Sequence, residues 1–179
     1  MFSFLTGSRR RKAYGDNLYQ ACVTQARTPE FYRDLGVPDT PEGRYELISL
    51  HVMLLIRRLN TEGSKGREAA QEVFDSMFRD MDYALREMGV GDMSVSKKIR
   101  ALAKAFYARI EAFKPGLDER DAIMLSDAML ASIETGDAID HSGLATYALD
   151  CEASLSAQDG QGLLTDAVPS FASLMRATA

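Results

Sequence analysis

Four side chains in this sequence carry nucleophilic-site chemistry: Cys22, Cys151, His51 and His141. A thiol beside an imidazole forms a thiolate–imidazolium pair that attacks carbonyl carbon, provided the two come within hydrogen-bond reach. Nothing in the spacing brings any of the four together. His51 lies inside the apolar run LISLHVMLLI at 47–56 and reads as a hydrogen-bonded core histidine, because buried polar groups are satisfied internally. Two isolated cysteines form neither a CxxC metal knuckle nor a disulfide framework, and they fit a reducing compartment. No Walker loop, GxGxxG, GxSxG, HExxH or Glu-x-x-His spacing occurs, so neither phosphate-cradling, hydrolase nor di-iron chemistry is indicated. The expectation is a protein without catalytic residues, metal or cofactor, and not an enzyme.

Charge offers a different kind of chemistry. The chain has 179 residues and a net charge of −5, unevenly spread. Arg9, Arg10, Arg11 and Lys12 give the first twelve residues +4, whereas residues 114–179 carry eleven acids against Lys114, Arg120 and Arg176. A basic tip on an acidic body points to contact with something anionic. Phe2, Phe4 and Leu5 precede those four cations, so residues 1–12 read either as a seat on an anionic membrane surface or as a solvated tail. The second cationic stretch is DMDYALREMGVGDMSVSKKIR at 80–100, and no acid occurs from 93 to 110. Its Lys97, Lys98, Arg100, Lys104 and Arg109 populate the surface of one helix, read either as a docking face or as an ordinary solvated face. The acidic C-terminal third argues against broad nucleic-acid affinity, and no DNA partner is expected.

These groups need elements to hold them, and the pattern is helical almost throughout. A helix is expected over 13–27, with Tyr14, Leu18, Ala21, Cys22 and Gln25 on one face, followed by a connector at 31–44 broken by Pro38 and Pro41. Thr40 as N-cap and Pro41 in the first turn open a helix over 42–60, apolar on nearly every face and therefore central. TEGSKG at 61–66 reads as a polar loop. Ala70, Val73, Phe74, Met77, Phe78, Met81, Ala84, Leu85 and Met88 recur at i, i+3, i+4 and mark a helix over 66–88. Gly89 fits the left-handed position past its end and Val90 the accompanying apolar contact. Asp92 or Ser94 caps a helix over 94–113 carrying Val95, Ile99, Leu102, Phe106, Ile110 and Phe113, with KPG ending it. Helices over 118–133 and 142–157 follow, then a short frayed tail. The fold expected is all-α, a single compact bundle of about six to seven helices: a basic tip (1–12), a helical domain (13–157) and a tail (158–179). No segment reaches the roughly 18 apolar residues of a membrane span, and MFSFLTGSRRRK has the reverse order of a signal peptide.

The blocks QARTPEF (25–31), FYRDLGVPDTPEGRYELISLHVMLLIRRL (31–59), FRDMDYALREMGVGDMSVSKKIR (78–100) and AFYARIEAF (105–113) resemble, in this order, the ubiquinol–cytochrome c chaperone family. The resemblance covers roughly residues 14–150; the short N-terminus suits the bacterial branch. The chain departs from the family pattern at Ala108, where glycine is common, and at Ser96, where proline or glycine is.

The resemblance implies an all-α assembly factor that binds newly made cytochrome b, or another respiratory-complex subunit, during biogenesis of the ubiquinol–cytochrome c reductase. It implies a cytoplasmic protein lying peripherally at the inner face of the inner membrane, beside a second small assembly factor or a ribosome. The client surface expected is Asp82, Arg86, Met88, Gly89, Val90, Gly91, Asp92, Lys97, Lys98 and Arg100. The competing reading is a ribosome- or RNA-contacting adaptor that uses the basic face of residues 94–110.

Overall fold

A computed structural model describes residues 3–133, 139–165 and 167–174, with side chains described from residue 12 onward. Eight helices and no strand occur among them: α1 (Ser3–Ala26), α2 (Pro29–Arg33), α3 (Pro41–Asn60), α4 (Gly63–Glu87), α5 (Asp92–Glu119), α6 (Ala122–Ser132), α7 (His141–Ser156) and α8 (Gly160–Leu163). Six of the eight exceed two turns, in agreement with the all-α expectation.

The all-round apolar helix lies at the centre, as its composition requires. α3 packs against α1, α4 and α7 and buries Leu47, Leu50, Val52, Met53, Leu54, Leu55 and Leu59. Each such leucine removed from water contributes about 1.5–3 kcal/mol. Its start is local chemistry: the Thr40 hydroxyl accepts the Gly43 N–H at 3.2 Å, with Pro41 in the first turn. At the other end, Arg58 donates to the carbonyls of Leu155 and Gln158, both at 2.9 Å. It thereby occupies the negative C-terminus of α7 rather than its own helix end.

Three expected boundaries move. α1 extends back to Ser3, so residues 3–12 continue its backbone. The expected loop 61–66 shrinks, because α4 begins at Gly63, where φ is +71°. The connector at 31–44 narrows to 34–40, between α2, which buries Phe31 completely, and the start of α3.

The largest correction concerns Lys114-Pro115-Gly116, which does not end α5; the helix runs through Pro115 to Glu119. Interior proline removes a backbone hydrogen bond and costs roughly 3 kcal/mol. Packing offsets this: Phe113 and Leu117 are buried. Gly116 lies so close to α6 that a Cβ there would sit 2.8 Å from the Leu125 backbone nitrogen. The helix stops instead at Arg120, a left-handed residue (φ +55°), with Asp121 N–H on the Gly116 carbonyl at 2.9 Å.

The C-terminal segment is better anchored than a frayed tail. Ser170 exchanges hydrogen bonds with Gln158, and its carbonyl also accepts from Ser154. Phe171 packs edge-on to His51 with ring centroids 5.0 Å apart.

Candidate functional site

Two of the four Cys and His side chains that opened the sequence argument, His51 and Cys151, converge on Tyr147. His51 donates through Nδ1 to the Leu47 carbonyl at 2.7 Å, which leaves Nε2 to accept the Tyr147 hydroxyl, also at 2.7 Å. Gln25 in turn donates to that hydroxyl (3.0 Å) and to the Ala172 carbonyl (3.2 Å). The Cys151 thiol touches the same hydroxyl, and Phe31 stacks edge-on against both rings. Burial pushes the Cys151 thiol up to about 11 and the His51 imidazole down to about 4. The Cys22 thiol is raised as well, by complete burial. Protonated thiols beside a neutral imidazole are the opposite of an activated pair. The cluster is a satisfied polar knot in the core, and His51 is the hydrogen-bonded core histidine its setting suggested. His141 lies apart, at the start of α7.

The cationic stretch forms a helical hairpin. α4 ends as the sequence indicated: Gly89 has φ +79°, its N–H bonds to the Arg86 carbonyl, and the Val90 N–H bonds to that of Leu85. These are the two bonds of a Schellman ending. Gly91, not Asp92 or Ser94, occupies the N-cap of α5, without a side-chain cap bond. Asp92 serves the turn differently. Arg86 binds Asp82 at 2.6 Å and also grips Asp92, a staple from the last turn of α4 across to α5. The base of the hairpin is fastened by Phe74, Phe78 and Phe106, with Phe74 and Phe78 centroids 4.6 Å apart. The Tyr45 hydroxyl adds a bond to the Leu102 carbonyl at 2.9 Å.

Of the expected site residues, Arg86, Met88, Gly89, Gly91, Asp92, Lys97, Lys98 and Arg100 are exposed, and Asp82 and Val90 are half-buried. All therefore lie on or beside one turn. Arg109 departs from the expected basic face. It is buried with Glu46 at 2.6 Å, their side chains 12% and 11% exposed, and it also donates to the Ser132 carbonyl. Burial raises the Glu46 carboxyl to about 7, against the opposing pull of Arg109. Its pairing to a residue 63 positions away leaves no mark in the local pattern. Tyr83, Met93 and Tyr107 were missed: they are exposed at 61%, 90% and 55%. For Met93 a signal existed. At 100° per residue, Met93, Lys97, Arg100, Lys104 and Tyr107 share one face, opposite the Val95–Ile99–Leu102–Phe106 stripe.

Of the membrane-surface set, Phe2 lies outside the described residues. Phe4, Leu5, Arg9, Arg10 and Arg11 lie on the α1 backbone with side chains outside the described set, and Lys12 is exposed. A groove of about 970 Å³ separates α3, α5 and α7; Met53, Ile56, Ile110 and Leu155 line it, with Tyr107 at its edge. Its cations are internally engaged: Arg57 with Asp118 and Glu152, Lys114 with Asp118 at 2.9 Å. No group of His, Cys, Asp and Glu among the described residues is arranged to hold a metal ion, and no described helix is long and apolar enough to cross a membrane.

Comparison with known proteins places this architecture among relatives. The model of a family described as ubiquinol-cytochrome C chaperone matches residues 33–171. The match starts later than residue 14 and ends beyond residue 150, taking in α8 and the segment that reaches Phe171. The ubiquinol-cytochrome-c reductase complex assembly factor 1 of Xenopus laevis is 26% identical over 107 residues, 60% of this chain and 54% of that protein. Its Homo sapiens counterpart is 27% identical over 100 residues, 56% of this chain and 33% of that one. The match thus spans a third to about half of these relatives' length. A crystal structure of the Cbp3 homolog from Brucella abortus superposes with a TM-score of 0.83 at 34% identity, covering 96% of this chain and 95% of that one.

Proposed function

The chain belongs to the ubiquinol-cytochrome C chaperone family, and from that premise we propose that it is a non-enzymatic assembly factor for the ubiquinol–cytochrome c reductase complex that holds newly made cytochrome b. The observation that carries the reading is the family match over residues 33–171. The near full-length likeness to the Brucella protein supports it and favours a bacterial setting. A helical hairpin whose surface cations Lys97, Lys98, Arg100 and Lys104 pair with no carboxylate among the described residues, and a core whose reactive groups are held inert, suit a protein that binds rather than transforms its client.

The client surface proposed is the hairpin turn: Asp82, Arg86, Met88 to Asp92, Lys97, Lys98 and Arg100. Arg86 keeps the turn in shape while the lysines face outward. Cytochrome b is membrane-embedded, so the chaperone works at the membrane surface, and Phe2, Phe4, Leu5 and Arg9 to Lys12 supply a further contact there. The partner set extends to a second small assembly factor. Affinity purification from the native host in mild detergent tests the reading: wild type recovers cytochrome b, and Lys97→Glu/Lys98→Glu, folded to the same extent, recovers far less. Equal recovery removes this surface, and absence of any reductase subunit from the wild-type eluate removes the function. The ribosome- or RNA-contacting reading of residues 94–110 loses support from Arg109, which is occupied by Glu46. Steep loss of RNA binding between low and moderate salt would restore it.

A further inference from the structure

We propose that the apex of the α4–α5 hairpin inserts into the surface of an anionic lipid bilayer, with Met88, Met93 and Tyr83 entering the headgroup region and Lys97, Arg100 and Lys104 binding the anionic headgroups behind them. The proposal rests on the hairpin being the working end of the chaperone. It sets Met88, Lys97 and Arg100, which belong to the proposed client surface, against lipid as well, and adds Tyr83, Met93 and Lys104, which do not.

The argument is one of position. Met88 lies in the turn, 66% exposed, and Met93 in the first turn of α5, 90% exposed, with Tyr83 one turn back on α4. Large apolar side chains exposed around one turn mark a contact surface. The cations follow at fixed depth. Lys97 and Arg100 lie on the Met93 face, and at 1.5 Å per residue they are about 6 and 10 Å further from the apex. That interval matches the roughly 5–10 Å to which interfacial apolar faces sink into the headgroup–acyl boundary. Lysine and arginine stems reach from such depths back to the phosphate level. Arg86 holds both Asp82 and Asp92, which leaves one negative charge in that trio, and Glu87, against the Tyr83 hydroxyl, adds another, so the pull of an anionic surface falls on the cations behind the apex. Among the described residues, no carboxylate pairs with Lys97, Lys98, Arg100 or Lys104, so these charges are available to an outside partner.

The sequence contains no tryptophan, which makes Met93→Trp a single fluorescent reporter at a position 90% exposed. The full-length variant is titrated with phosphatidylcholine vesicles, with and without phosphatidylglycerol, and with vesicles carrying brominated acyl chains. The expected result is a blue shift and bromine quenching that require phosphatidylglycerol and weaken in salt. Adding Lys97→Glu/Lys104→Glu should lower partitioning more than tenfold, each basic residue near such a surface being worth about fivefold. The proposal is overturned if vesicles bind the protein while the indole emission stays that of water, which assigns the contact to residues 1–12. It is equally overturned if no vesicle binds, or if the shift appears only when the vesicles contain cytochrome b, which makes the apex a protein contact. A chain that captures cytochrome b yet keeps its reporter in water retains the assembly function and loses this inference.

Discussion

His51 and Glu46 show how burial sets the state of single groups, and their effects on stability run in opposite directions. The folded His51 titrates near 4 against an ordinary 6.5. The unfolded chain therefore binds the proton more readily in that window, and stability is lost as pH falls from about 6.5 to 4, by up to about 3 kcal/mol. Glu46, raised to about 7 from 4.5, binds its proton more readily when folded, so stability is lost as pH rises through the same region, by a similar order. The two slopes offset each other between about 4.5 and 6.5. Urea midpoints should accordingly change little over that span in the wild type. In Glu46→Gln they should climb with pH, because only the histidine slope remains. A falling midpoint in Glu46→Gln would show that His51 is not held neutral. A second prediction concerns Tyr147→Phe, which strips His51 Nε2 of its donor and Gln25 of an acceptor. It should cost about 1–3 kcal/mol in denaturant unfolding, well above the loss expected from an exposed tyrosine.

At the level of elements, glycines separate backbone demands from packing demands. Gly89 sits at φ +79° with open space where a Cβ would point, so Gly89→Ala should cost about 1 kcal/mol, from conformation alone. Gly91 has an ordinary backbone (φ −65°) and equally open space, and Gly91→Ala should shift the midpoint by less than about 0.5 kcal/mol. Gly116 is the reverse case. Its backbone is helical, but a Cβ meets the Leu125 backbone at 2.8 Å; Gly116→Val should force α5 and α6 apart and cost about 1–3 kcal/mol. Thermal or urea melts of the three variants rank them directly. The Gly89 turn was legible because a helix stop is local chemistry: an apolar stripe ends, a glycine follows, and an apolar residue comes next. The Pro115 continuation was not legible. What keeps α5 going is α6, which supplies contacts from residues the local pattern does not connect to it.

At the level of the whole molecule, the segment that reaches Phe171 closes the bundle. It covers His51 with the Phe171 ring and holds Gln25 through the Ala172 carbonyl. Truncation before residue 167 should destabilise the protein by about 2–4 kcal/mol, on the scale of losing a buried aromatic. It should also return the His51 titration toward 6.5, readable from its imidazole proton resonances. An unchanged His51 would mean that the segment is a passive cover. The candidate docking surface divides in the same way. Met88, Lys97 and Arg100 could be placed on a turn and a helix face from spacing alone, because exposure follows from lying opposite an apolar stripe. Arg109 belongs to the same helix and looked equally free, yet Glu46 buries it, since helical phase does not say which faces a neighbouring helix covers.

Periodicity by itself determined that the chain is helical, that α3 is central, where α4 stops, and which residues of α5 turn away from the core. Each of these is a local property, governed by the 3.6-residue repeat and by backbone chemistry within a few positions. Only the tertiary structure decided that Arg109 is an internal ion-pair partner, that α5 runs through a proline, that His51, Tyr147 and Cys151 form one inert cluster, and that the last described segment packs against the core. Those outcomes depend on contacts between residues tens of positions apart, where the balance of desolvation, packing and pairing is settled only once the helices are side by side.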